Sequence, residues 1–134
     1  MSADAEKRIL LPSRLDRLGA LRQEVYAFAE AHGLAPLAAE DLGLCVHEAA
    51  SNAMVHGNGD DETQLVEVVL IAEVEGIRVT VTNGGPGFDH ESLPGGLVPG
   101  DRPRGRGLRI IHRLAQDVTW SDQGRSLSFL KSRG

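Results

Sequence analysis

Residues 48–57 read E-A-A-S-N-A-M-V-H-G and carry a carboxylate and an amide, Glu48 and Asn52, one helical turn apart. Two glycine-rich stretches follow, N-G-G-P-G-F-D at residues 83–89 and R-G-R-G-L-R-I-I at residues 104–111. An acid and amide pair on a helix, then a glycine turn after a strand, then a glycine turn that opens a helix, indicates a phosphate-binding site. This site is not a P-loop, because the pattern G-x-x-x-x-G-K-[ST] does not occur in the sequence.

The composition predicts one compact domain over residues 1–134. Hydrophobic residues make up 41% of the chain and aromatic residues only 4%, so the core must consist mainly of Leu, Val, Ile and Ala. A net charge of −5 disfavours direct binding of nucleic acid. The chain has a single cysteine, Cys45, and neither an apolar signal core nor a run approaching the roughly 20 apolar residues of a membrane span. We therefore expect a cytoplasmic protein that does not associate with membranes.

The N-terminal half predicts a strand and two helices. Residues 8–11 form a short apolar run, typical of an edge strand. Ser13 and Asp16 resemble a capping box at the start of the first helix, which ends at Gly33. The second helix begins at Pro36 and continues to the glycines that follow Asn52. Its stripe toward the core is predicted to comprise Leu42, Cys45, Val46, Ala49 and Ala53.

The C-terminal half changes to a period of two. Residues 65–72 and 77–82 predict two strands joined by a turn, and residues 118–129 predict a closing hairpin. Between them, residues 84–105 are rich in Gly and Pro and predict a long loop, whereas residues 107–116 return to helical spacing. The order β-α-α-β-β-loop-α-β-β predicts an α+β fold, a two-layer sandwich in which helices cover one face of a mostly antiparallel sheet.

The acid and amide pair suits magnesium and phosphate chemistry. Glu48 and Asn52 are predicted at the flank of the core stripe, where both side chains can reach one ligand. Carboxylate and amide oxygens bind Mg²⁺ beside phosphates, and a carboxylate can also take a proton from an attacking hydroxyl. The same pair is also common on solvated helix flanks, so it does not specify a function by itself. We expect His47 and Ser51 at the surface and His56 at the helix end.

The first glycine cluster directly follows a predicted strand. Gly84, Gly85 and Gly87 let the backbone approach a flat ligand without a side-chain clash. Asn83, at the end of the strand, has an amide that can pair with the edge of an adenine base. The alternative is that N-G-G-P-G is simply a turn.

The second glycine cluster is predicted where the loop becomes a helix. Unpaired backbone N–H groups at a helix start bind anions, and Gly105 and Gly107 would lie at that start. Arg104 and Arg106 add positive charge. A dinucleotide fingerprint does not match, because G-R-G-L-R-I lacks the third glycine.

Together these segments resemble the GHKL superfamily of ATP-binding domains, which have the Bergerat-type fold. Glu48-x-x-x-Asn52 resembles its N box, Asn83-x-Gly85-x-Gly87 its first glycine box, and Gly105-x-Gly107 its second. Within the superfamily, the small size and the motifs E-A-x-x-N-A-x-x-H-G, G-P-G-F-D and G-R-G-L are most similar to those of bacterial anti-sigma-factor serine kinases.

The resemblance implies a protein serine kinase that uses ATP and Mg²⁺. It implies that Glu48 is the general base for a serine hydroxyl and that Asn52 holds the metal. The length of the Gly- and Pro-rich loop separately predicts a lid over about residues 89–104. The residues implied to bind the nucleotide are Asn52, Asn83, Gly85, Gly87, Arg104, Gly105, Arg106, Gly107 and Leu108. The implied partners are a sigma factor in one state and a STAS-type anti-anti-sigma protein, which is phosphorylated, in the other. Many members also form homodimers.

Two other functions remain open at this point. The chain can be a regulator that binds partners under the control of ATP without transferring phosphate. It can also be the ATPase part of a larger machine, although it is too short to include the transducer domain that such machines need.

Position 83 departs from the family pattern, which has Asp there. Asn83 keeps an acceptor oxygen for the adenine amino group but loses the charge, so we expect weaker ATP binding. A flipped amide would instead donate to guanine O6 and relax the choice of purine.

Overall fold

The computed structural model describes residues 5–84 and 102–133, and in this part a five-stranded sheet carries the fold. The strands are β1 (Glu6–Pro12), β2 (Leu65–Ala72), β3 (Gly76–Asn83), β4 (Gln116–Ser121) and β5 (Ser126–Ser132). Their order in the sheet is β1-β2-β3-β5-β4, and every neighbouring pair is antiparallel, in agreement with the mostly antiparallel sheet that the sequence predicted.

Three helices complete the two layers: α1 (Leu18–Ala31), α2 (Pro36–Asn52) and α3 (Arg102–Leu114). α2 packs against α1 on one side and α3 on the other, and it continues into one π-helical turn, Ala53–Gly57. The predicted stripe of α2 is buried, and β3 buries Ile77, Val79 and Val81 while the residues between them remain half-exposed. The alternation confirms a sheet with one face in the core. No helix in the described ranges combines the length and the apolar composition needed to cross a membrane.

The predicted capping box at the first helix is wrong. A short 3₁₀ turn, Leu15–Arg17, precedes α1, and the residue that caps α1 makes no side-chain hydrogen bond to it. Ser13 instead donates from Oγ to the Gln64 carbonyl oxygen (2.8 Å) and accepts from Asn58 Nδ2 (2.8 Å). The hydroxyl thus joins the residue after β1 to the residue before β2, and it is engaged there rather than at the helix start.

The start of the third helix also differs from the prediction. α3 begins at Arg102, so residues 102–105 are helical rather than loop, and the helix ends at Leu114 rather than at residue 116. Pro103 is compatible with this start, because the N–H that proline lacks has no partner in the first turn of a helix. Gly105 and Gly107 consequently lie within α3 and not at its first residue. Residues 89–101 of the predicted lid lie outside the described residues.

Candidate functional site

Asn52 is the last α-helical residue of α2, and its side chain is buried. Its amide nitrogen Nδ2 has no hydrogen-bond partner in the described part of the chain. A buried donor without a partner costs about 1–3 kcal/mol, so the position fits a ligand that supplies an acceptor, such as a phosphate oxygen. The two ends of an amide have nearly the same shape. Turning the amide presents its oxygen in the same place, which fits the Mg²⁺ that the resemblance implies.

Glu48 lies one helical turn before Asn52 and is half-buried. Its carboxylate lies against α3 at Gly107: a β-carbon built on that glycine would lie 2.7 Å from Glu48 Oε1 and 3.6 Å from Glu48 Cδ. A side chain at position 107 would require the Glu48 carboxylate to shift from this place, so the glycine permits the approach. The structure therefore brings the predicted N box and the second glycine of the predicted second glycine box into direct contact.

Asn83 ends β3, with its side chain buried beside β5. Its backbone N–H and its Nδ2 both donate to the carbonyl oxygen of Arg125, at 2.9 and 3.2 Å. Because a carbonyl oxygen can only accept, the nitrogen end of the amide must face Arg125. The oxygen end of the amide, an acceptor, therefore faces away from the Arg125 carbonyl oxygen. If the Asn83 amide were flipped, its side-chain oxygen would face the Arg125 carbonyl oxygen, and neither oxygen can donate a hydrogen bond.

A small cavity lies beside Asn52 and Asn83, with a volume of about 10 Å³, which is room for about one water molecule. A purine can enter only if the walls move apart. The lining residues are Ala49, Asn52, Ala53, Val81, Asn83, Trp120, Gly124, Arg125 and Leu127.

Trp120 and Arg125 were not predicted from the sequence as residues of this site. Trp120 lies on β4, and Arg125 immediately precedes β5. The closing hairpin predicted from the sequence could have identified Arg125, because antiparallel pairing of β3 with β5 places residue 125 opposite Asn83.

The side chains around Glu48 differ partly from the sequence expectation. His47 and Ser51 are half-buried rather than at the surface, and His47 Nδ1 is buried without a hydrogen-bond partner among the described residues. Cys45 is buried as predicted, and burial raises the pKa of its thiol from 9.0 to about 12. The described residues contain no group of three or more His, Cys, Asp or Glu placed to hold a metal ion.

Several predicted site residues lie outside this geometry. Leu108 is buried in the hydrophobic core and does not line the cavity. Gly85 and Gly87 are outside the described residues, as are the side chains of Arg104 and Arg106. Their roles stay predictions.

A second and larger space lies between α1 and α2. This groove has a volume of about 380 Å³, and none of the predicted site residues lines it. Its lining residues are Gly19, Arg22, Gln23, Tyr26, Ala39, Glu40 and Gly43. The buried amides of Asn52 and Asn83 line the smaller cavity instead, and the Glu48 carboxylate lies against α3.

Comparison with known proteins gives matches over nearly the whole chain. Residues 11–131 match the model of the histidine kinase-like ATPase domain family. A serine-protein kinase RsbW from Listeria monocytogenes serotype 4a is 29% identical over 131 residues, which covers 90% of this chain and 83% of the relative. The serine-protein kinase RsbW of Oceanobacillus iheyensis is 26% identical over 121 residues, covering 84% of this chain and 77% of the relative.

A solved structure supports the fold independently. The histidine kinase domain of a blue-light activated histidine kinase from Erythrobacter litoralis superposes with a TM-score of 0.56 at 19% sequence identity. The match covers 91% of this chain and 61% of that structure. At this level of identity the likeness establishes the fold alone.

Proposed function

Since the chain belongs to the histidine kinase-like ATPase domain family, we propose that it is a protein kinase that transfers the terminal phosphoryl group of ATP to a serine of a regulatory protein. The observation that carries the proposal is the position of the Glu48 carboxylate against Gly107 of α3, one turn from the buried amide of Asn52. The two relatives named serine-protein kinase RsbW support this activity over a site that serves only for binding.

Glu48 is proposed as the general base. It accepts the proton of the serine hydroxyl as the serine oxygen bonds to the terminal phosphorus of ATP and the bond from phosphorus to the ADP oxygen breaks. The proton is on Glu48 after transfer, and ADP leaves with the electron pair of the broken bond. Gly107 has no side chain, which leaves room for the carboxylate to lie against α3.

Asn52 is proposed to hold Mg²⁺ and the phosphates from the end of α2. A bound Mg²⁺ neutralises the charge that develops on the phosphate oxygens. Arg104 and Arg106 on α3 are proposed to add positive charge for the phosphates. Gly85, Gly87, Gly105 and Gly107 are proposed to shape the nucleotide pocket.

The base is proposed to enter between Asn83 and Trp120. Asn83 offers an acceptor to the amino group of adenine, and the half-buried Trp120 forms part of the wall that must open. Trp120 is the only tryptophan in the chain, so its fluorescence reports events at this cavity.

We propose partners of the kind that the anti-sigma-factor kinases have. In one state the chain binds a sigma factor or a comparable regulator, and in the other it phosphorylates a STAS-type anti-anti-sigma protein. We propose that the protein acts in the cytoplasm and that it can form a homodimer.

The experiment has two steps. The purified protein is first titrated with Mg·ATP while Trp120 fluorescence and heat are recorded, and saturable binding is expected. It is then incubated with ATP and STAS-domain proteins from the same genome, and phosphoserine is mapped by mass spectrometry, with Glu48→Gln as the matched control. Failure to bind ATP, or equal phosphorylation by wild type and control, would contradict the proposal.

A second candidate is a regulator that binds partners without transferring phosphate. The small volume of the base cavity, about 10 Å³, favours this alternative, because ATP must first widen it. Complex formation with a STAS protein in the absence of any phosphoserine would support this function over the kinase.

A further inference from the structure

We propose that Gly57 is a positioning residue for base recognition: its missing side chain provides the space in which Asn83 turns its amide nitrogen to Arg125 and so directs its oxygen, an acceptor, to the base. The inference rests on the proposed function, since it concerns the base of the bound nucleotide. It adds a residue to which neither the sequence motifs nor the comparisons give a role.

The first observation is the contact itself. A β-carbon built on Gly57 would lie 2.4 Å from Asn83 Nδ2, 2.5 Å from Asn83 Cγ and 2.9 Å from Asn83 Cβ. Such distances are far below van der Waals contact, so alanine at position 57 and the observed position of the Asn83 side chain exclude each other.

The second observation is that hydrogen bonds on the next residue hold the backbone around Gly57. It closes the π-helical turn, in which the N–H of Asn58 bonds the carbonyl oxygen of Ala53 at 2.8 Å. Asn58 is buried and donates from Nδ2 to Ser13 Oγ (2.8 Å) and to the Leu65 carbonyl oxygen (3.2 Å). π turns of this kind are frequent at functional sites.

Asn83 is held on the same framework. It pairs with Val66 on β2, next to Leu65, and its backbone N–H bonds Arg125 on the other side. With both backbones fixed, a methyl group at position 57 must displace the Asn83 side chain and break its bond to the Arg125 carbonyl oxygen. That bond distinguishes the two ends of the amide, because a carbonyl oxygen accepts only from the nitrogen end.

The predicted consequence is a change in base selectivity and not only in stability. With its nitrogen bonded to Arg125, Asn83 presents an acceptor, which matches the 6-amino donor of adenine and opposes the 6-oxo group of hypoxanthine. An oxygen has two lone pairs, so Asn83 can accept from the base while keeping other contacts. ATP and ITP differ at this end of the base, so their affinity ratio reports the orientation of Asn83.

The test compares ATP and ITP binding to wild type, Gly57→Ala, Asn83→Ala and the double variant. We expect wild type to prefer ATP by at least about tenfold and Gly57→Ala to reduce the ratio toward one, chiefly by losing ATP affinity. In the Asn83→Ala background the substitution at Gly57 should leave the ratio unchanged. Gly19→Ala is the matched control, since a β-carbon there meets nothing within 4 Å.

The outcomes separate the two proposals. If wild type binds neither ATP nor ITP, the proposed nucleotide function fails, and the role of Gly57 in base recognition fails with it. If wild type prefers ATP and Gly57→Ala keeps that preference, the function stands and the inference about Gly57 is overturned.

A measurement on the wild type covers the case in which Gly57→Ala does not fold. One Nδ2 proton of Asn83 should exchange with solvent at least about tenfold more slowly than that of an exposed amide side chain, because it is bonded to Arg125 in the interior. Exchange as fast as at the surface would overturn the inference.

Discussion

The carboxylate of Glu48 lies against Gly107, so that a β-carbon on the glycine would lie 2.7 Å from Glu48 Oε1. We therefore expect Gly107→Ala to push Glu48 and α3 apart. A displacement of about 1 Å can cost on the order of a hundredfold in rate, so phosphoserine formation should fall by about ten- to a hundredfold. Single-turnover transfer to a STAS protein measures this directly.

Alanine generally stabilises a helix interior relative to glycine by about 1 kcal/mol, so a loss of activity in Gly107→Ala without loss of helicity would point to the contact with Glu48. Gly19→Ala in α1 provides the control, because its β-carbon has open space around it, and full activity is expected there. Unchanged transfer by Gly107→Ala would mean that the carboxylate does not act from this position.

Glu48→Gln should abolish transfer while ATP binding stays within a few-fold of wild type. Glutamine keeps the size and polarity of the side chain but cannot accept a proton, and general base catalysis typically contributes about 10²- to 10⁴-fold. Transfer rates and nucleotide affinity are measured on the same preparation. A transfer rate equal to that of wild type would refute the role of Glu48 as the base.

Asn83→Asp should destabilise the protein in the absence of nucleotide. The substitution replaces the donor that faces the Arg125 carbonyl oxygen, at 3.2 Å, with a carboxylate oxygen. Leaving that contact unsatisfied costs about 1–3 kcal/mol in the free energy of unfolding. The loss should shrink at a pH low enough to protonate the carboxyl, which can then donate again. Urea unfolding at two pH values measures it, and equal stability at neutral pH would contradict the assigned orientation.

Asn83→Asp also tests the expectation that asparagine at position 83 binds ATP more weakly than the aspartate of the family pattern. A charged acceptor contributes about 1.5–3 kcal/mol where a neutral one contributes about 1, so Asn83→Asp should bind ATP several-fold more tightly. Equal ATP affinities of wild type and variant would show that the asparagine does not weaken binding.

The sequence predicted those parts of the fold that depend on local periodicity. The alternation of Ile77, Val79 and Val81 with polar residues identifies a half-buried strand, and the stripe of α2 identifies its buried face. The start of α3 escaped detection because Pro and Gly are ordinarily signals for a loop. Here Pro103 occupies the first turn, where it is tolerated, and Gly107 is accommodated because Glu48 packs against it.

The candidate site was predictable only where its residues are neighbours in sequence. Glu48 and Asn52 are identified by a spacing of one helical turn. The roles of Trp120 and Arg125 depend on strand pairing, which joins Asn83 to a residue 42 positions later. The role of Gly57 depends on the packing of the π-helical turn against Asn83. Ser13 likewise finds partners 45 and 51 positions away, which no capping pattern indicates.

Cys45 should make the stability of the protein depend on pH above about 9. Burial raises the pKa of its thiol from 9.0 to about 12; Asp41 and Glu48 add to the rise, and Lys131 opposes it. Above pH 9 the unfolded thiol therefore loses its proton while the folded thiol keeps it. The free energy of unfolding should fall by up to about 1.4 kcal/mol per pH unit until the folded pKa is reached.

Cys45→Ala removes this contribution, so its stability should fall less steeply between pH 9 and 11 in urea unfolding. The comparison uses the change in the free energy of unfolding with pH rather than its absolute value, because removing the buried sulfur lowers stability at every pH. Parallel slopes would contradict the raised pKa.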